Sequence, residues 1–88
     1  MNNLTTTQQE AVQSAYFILS LYGSDVYVNL LAEATNQNDY QYICNGMAAD
    51  IADLVDMIPT QEDEMKRAIV SIKLGIYREV EALLVINA

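Results

Sequence analysis

The stretch Asn38 to Ile58 constrains the fold more than any other part of the chain. Its apolar residues Tyr40, Cys44, Met47, Ile51, Leu54 and Ile58 alternate spacings of four and three, which places them on one side of a helix. Asp50, Asp53 and Asp56 recur a turn apart on the other side, where the spacing predicts contact with water. One helix therefore carries a dry seam and an acidic ridge.

The flanking segments read as further helices. Thr5, Thr6 and Thr7 stand three residues before Gln8, Gln9 and Glu10, so each can open a capping box at the start of a helix over 7–22. Val12, Ala15, Tyr16, Leu19 and Tyr22 form its core stripe. Phe17, Ile18 and Leu21 add apolar surface around the rest, which predicts that its second half is buried from several sides. Gly23 suits the left-handed turn that ends a helix, and Ser24 or Asp25 can cap the next. Val26, Tyr27 and Val28 favour a strand locally. Tyr27, Leu30, Leu31 and Ala34 have helical spacing, however, and a lone strand would lack a partner, so 25–35 is assigned as helix. Asn38 or Asp39 caps the central helix over 39–58, and Pro59 ends it.

Thr60 is the expected cap of a last helix over 61–84, whose first turn holds Glu62, Asp63 and Glu64 at the positive end of the helix dipole. This helix has two apolar stripes. Met65, Ile69, Ile72, Ile76, Val80 and Leu83 form the main one, while Val70, Leu74 and Tyr77 lie well around the wheel. The second stripe is expected either to meet a second neighbour in the same bundle or to form a homodimer interface. The whole reads as one all-α domain, a compact bundle of about four helices with short connections over residues 1–88.

Charge narrows the classes of function. The net charge is −8, and residues 1–65 hold ten acids and no base; Lys66, Arg67, Lys73 and Arg78 are the only cations. A surface of this kind repels nucleic acid and anionic membranes and favours basic partners. No apolar run approaches the ~20 residues of a membrane span. The N-terminal residues lack the pattern of a signal peptide, and the single cysteine, Cys44, cannot form an intramolecular disulfide, so a cytoplasmic location is expected.

Histidine is absent, which removes Ser-His and Cys-His nucleophilic systems, and one cysteine cannot build a zinc site. Cys44 itself reads as a small buried apolar residue. Gly46, Ala48, Ala49 and Ala52 would admit another helix at close range. What remains for chemistry is carboxylates. Asp50, Asp53 and Asp56 would serve a Mg²⁺ enzyme only with a second acidic pair in the same cavity, and Glu79 with Glu81 or Glu62 with Asp63 face different ways. No cofactor, metal or enzymatic activity is therefore expected.

The acids also admit a solvated, solubilising face, or a surface for a partner. Asp50, Asp53, Asp56, Glu62, Asp63 and Glu64 put six carboxylates in fifteen residues, and that self-repulsion suits a surface which meets a basic site. Tyr42, off the seam, is a candidate aromatic anchor beside it. The expected function is a non-enzymatic modulator that occupies a basic, nucleic-acid-binding surface of a protein partner. By analogy of type alone, an accessory protein of a phage or mobile element is the setting for such a molecule. The competing expectation is a helical assembly module that homo-oligomerises through apolar helix faces.

Overall fold

The computed structural model describes residues 3–23 and 25–88. Four α-helices follow one another: α1 (Thr6–Leu21), α2 (Val26–Glu33), α3 (Gln37–Met57) and α4 (Glu64–Ile86), with a 3-10 turn at Ile58–Thr60 between the last two. No strand occurs among the described residues; the nearest thing to one is an isolated bridge between Asn3 and Asn36. The all-α expectation holds. No helix among the described residues is long and apolar enough to cross a membrane.

Local chemistry explains the helix starts. Thr5 opens α1 through the expected capping box: its Oγ1 accepts from the Gln8 amide at 3.1 Å, while the Gln8 side chain accepts from the Thr5 amide at 2.9 Å. Gln8 is buried nonetheless, because its amide exchanges hydrogen bonds with the Gln37 side chain at 3.0 and 2.5 Å. That pair joins the starts of α1 and α3. Gly23 takes φ +113°, the left-handed geometry expected after α1, and Asp25 caps α2 by accepting from the Tyr27 amide at 2.8 Å. The capping role considered for Ser24 lies outside the described residues. The segment 26–33 is helical, since Tyr27 and Leu31 share the buried side.

Two boundaries differ from expectation. The cap of α3 is Asn36, not Asn38 or Asp39, and Asp39 sits inside the first turn, where its Oδ2 accepts from the Thr35 amide at 3.0 Å. After α3, Pro59 stands within the 3-10 turn, and the chain takes three further residues to reach α4. Thr60 lies inside the 3-10 turn, four residues before α4 starts, and its hydroxyl donates back to the Met57 carbonyl at 2.7 Å. Asp63 caps α4 instead, its carboxylate accepting from the Met65 amide at 2.8 Å.

α1 packs on α2 and α4, and α3 packs on α4 and α2. The Tyr40 hydroxyl donates to the Leu84 carbonyl, which sets the start of α3 beside the end of α4 and makes that pair antiparallel. The core contains Ala11, Val12, Ala15 and Leu19 of α1, Tyr27 and Leu31 of α2, Tyr40, Ile43, Cys44, Met47 and Leu54 of α3, and Leu74, Tyr77, Val80 and Leu84 of α4. The seam of α3 is thus largely as its spacing predicts, with Ile51 and Ile58 half-buried at its far end.

α1 is not buried from several sides. With only two neighbours it hides one stripe, and Phe17, Leu21 and Tyr22 are each about two-thirds exposed. In α4 the second stripe meets a neighbour inside the bundle, as one of the two expectations had it, and the main stripe is core only in its second half, at Ile76, Val80 and Leu83. Leu74 and Tyr77 lie inside the bundle and Val70 is half-buried beside them, so this stripe is core and offers no homodimer interface. Met65, Ile69 and Ile72, expected in the core, are 74, 60 and 60% exposed.

The cause is a mismatch of lengths. α1 has 16 residues and α4 has 23, about 24 and 34 Å at 1.5 Å per residue. The face carrying Ile76, Val80 and Leu83 is continuous with Ile72, Ile69 and Met65 on the wheel. α1 ends where Leu19 and Tyr22 line a groove with Ile69, Ile72 and Ile76, and Met65 lies beyond it. The α3–α4 hairpin therefore projects as a tip, and the molecule measures 48 × 22 × 18 Å.

Candidate partner-binding face

The outer side of α3 carries the acidic ridge, but only two of its three aspartates look outward. Asp53 and Asp56 are exposed. Asp50 is half-buried, and its Oδ2 accepts from the Tyr27 hydroxyl at 2.5 Å. This corrects the expectation that all three meet water. The reason is long-range: Tyr27 reaches from α2 across α3 at Gly46, where an added Cβ would stand 2.9 Å from its hydroxyl and 3.3 Å from its ring. The close approach that Gly46 permits is made by a tyrosine ring and not by a helix backbone. Ala48, Ala49 and Ala52 remain exposed.

Asp50 belongs to one of two neighbouring, part-buried tyrosine–carboxylate pairs. Tyr27 meets Tyr77 edge to face, with ring centroids 5.6 Å apart at 89°, and the Tyr77 hydroxyl donates to Asp25 Oδ2 at 2.5 Å. Asp25 caps α2 with its other oxygen. Two tyrosines and two carboxylates thus tie α2 to α3 and α4. Burial, then the hydrogen bonds to Asp50 and Asp25, hold both tyrosine hydroxyls protonated well above their ordinary range. Burial also pushes Tyr40 up to about 12 and raises the Cys44 thiol, with the Glu81 charge adding to the latter. Cys44 is buried, as expected, and held protonated.

Tyr42 lies on the outer side of α3 with Asp53 and Asp56. It is 67% exposed, and it stands eleven and fourteen residues before Asp53 and Asp56, a separation that returns to nearly the same side of a helix. Tyr42, Ala49, Asp53 and Asp56 form one outward strip about 21 Å long, on a helix with no Lys or Arg. Two shallow clefts flank the tyrosine. One is lined by Val26, Tyr27, Leu30, Asn45 and Gly46, the other by Leu30, Glu33, Asp39 and Ile43. Val26 is 63% exposed, so apolar and aromatic surface lies on one side of Tyr42, and Glu33 and Asp39 line the cleft on the other. Val26, Leu30, Glu33 and Asp39 were not expected as site residues, because the docking of α2 beside Tyr42 is a long-range contact that spacing along the chain does not give.

The acids of the α4 start are at the same end of the molecule as Asp56, across the Ile58–Thr60 turn. Glu62 and Glu64 are exposed, while Asp63 is engaged as the cap of α4. The Arg67 guanidinium folds back to donate to the Gln61 carbonyl at 2.6 Å. Among the described residues no three carboxylate or thiol groups converge to hold a metal ion. The arrangement is one for surface contact: fixed negative charge, one exposed aromatic ring and shallow apolar clefts. Comparison of the chain with protein-family models, with characterised proteins and with solved structures finds no match.

Proposed function

We propose that the protein is a non-enzymatic binding module that grips a basic surface of a protein partner through the outer side of α3 and the clefts beside it. The observation that carries this reading is the alignment of Tyr42 with Asp53 and Asp56 on one exposed strip without counter-charge. The carboxylates steer and orient a cationic surface, and Tyr42 supplies the desolvated contact that charge alone does not. Glu62 and Glu64 extend the field past the turn, and Asp50 contributes charge while holding Tyr27 in place. A basic surface of this type commonly serves nucleic acid, so occupation by this protein would block that use. The cell interior is the setting that fits the single buried thiol.

Capture on the immobilised protein from cell lysate, at low and high salt with mass-spectrometric identification, tests this. The expected partner has a basic surface, dissociates as salt rises and is lost to the Asp53→Asn/Asp56→Asn double variant and to Tyr42→Ala. Undiminished capture by both variants would refute the assignment of the face.

A further inference from the structure

The bare face of α4 has features of its own. Met65, Ile69, Ile72 and Ile76 are spaced by four, three and four, the spacing of a helix–helix seam, and the first three are more than half exposed. Along one edge Ala68, Ser71 and Gly75 are exposed and small, and an added Cβ at Gly75 would meet nothing within 4 Å. A neighbouring helix can come close there. At its lower end the seam opens into a groove of about 290 Å³ against Leu19 and Tyr22 of α1.

We infer that this seam joins two copies of the chain, their α4 helices packed antiparallel about a two-fold axis near Ile69 and Ile72. Shape is the first reason for choosing a second copy. The tip is a two-helix hairpin with one open side, and two such hairpins facing each other make a four-helix arrangement, each filling the space that α1 is too short to cover.

Charge is the second reason. α4 holds all four cations against Glu64, Glu79 and Glu81, a net +1, which leaves −9 on the rest of a chain whose total is −8. α4 is the one helix of the four with a net positive charge, so a contact along it brings base as well as acid to the interface. The antiparallel sense keeps the acidic starts of the two α4 helices at opposite ends of the contact, whereas the parallel sense would set them together. This contact does not depend on the outer side of α3, which stays free in the dimer.

Sedimentation equilibrium on the intact chain at micromolar concentration tests the inference. The wild type is expected at twice the chain mass of 9.8 kDa, and Ile69→Glu and Ile72→Glu at the single-chain mass with unchanged helical circular dichroism, since both positions are largely exposed. Asp53→Asn/Asp56→Asn is expected to keep the doubled mass, which separates this contact from the acidic strip. A wild type of single-chain mass would overturn the inference and assign the seam to a different protein. A doubled mass in both glutamate variants would overturn it by placing the dimer elsewhere.

Discussion

The base of the bundle and the projecting tip are built from similar residues and put to different uses. In the base, Leu31, Ile43, Met47, Val80 and Leu84 are almost wholly enclosed. From residue 51 to residue 72, by contrast, Leu54 is the one buried side chain, although the segment also contains Ile51, Val55, Met57, Ile58, Met65, Ile69, Val70 and Ile72. Apolar content alone therefore does not make a core. A side chain contributes to stability when a second element reaches it, and α1 and α2 do not reach the tip. Residues that add little to the fold there are available for contact with another molecule.

The largest expected difference between the two regions is in stability. Met47→Ala, at a side chain with no exposure, should cost about 2–5 kcal/mol in urea unfolding. A cost under about 1 kcal/mol would show that the base is looser than its burial indicates. Tyr27→Phe and Tyr77→Phe each strip a hydrogen bond from a carboxylate, and about 1–3 kcal/mol should be lost in the same experiment.

The tyrosines also give a pH signature. Tyr27, Tyr40 and Tyr77 all have folded pKa values raised above 10, so above pH 10 the unfolded chain releases protons that the folded one retains. Stability is therefore fully present below pH 10 and is lost as pH rises toward and beyond 12. Tyr27→Phe should flatten that decline, and an unchanged slope would show that Tyr27 is not held protonated by the fold. The smallest effect is expected at the tip: Ile69→Ala in dilute solution should shift stability by no more than about 0.5 kcal/mol, a fraction of the Met47 value.

How much of this was legible in the sequence follows the same division. The seam of α3 was readable because spacing, polar turn and proline agree over one continuous stretch. Tyr42, Asp53 and Asp56 could also be aligned by counting residues. How far the main stripe of α4 is covered could not, since the deciding fact is where α1 stops in space. The inward turn of Asp50 was hidden for a similar reason, because it depends on a ring from α2 crossing Gly46. Asp63 displaced Thr60 as a cap through a turn that continued past Pro59, a local effect that proline alone did not reveal.

Hydrogen exchange along α4 at two protein concentrations tests the division most directly. In dilute solution the amides of 66–72 should exchange much faster than those of 76–84, and concentration should slow the first group while leaving the second unchanged. Uniform protection along the whole helix at both concentrations would contradict the account, because it would mean that the chain by itself holds the tip as firmly as the base.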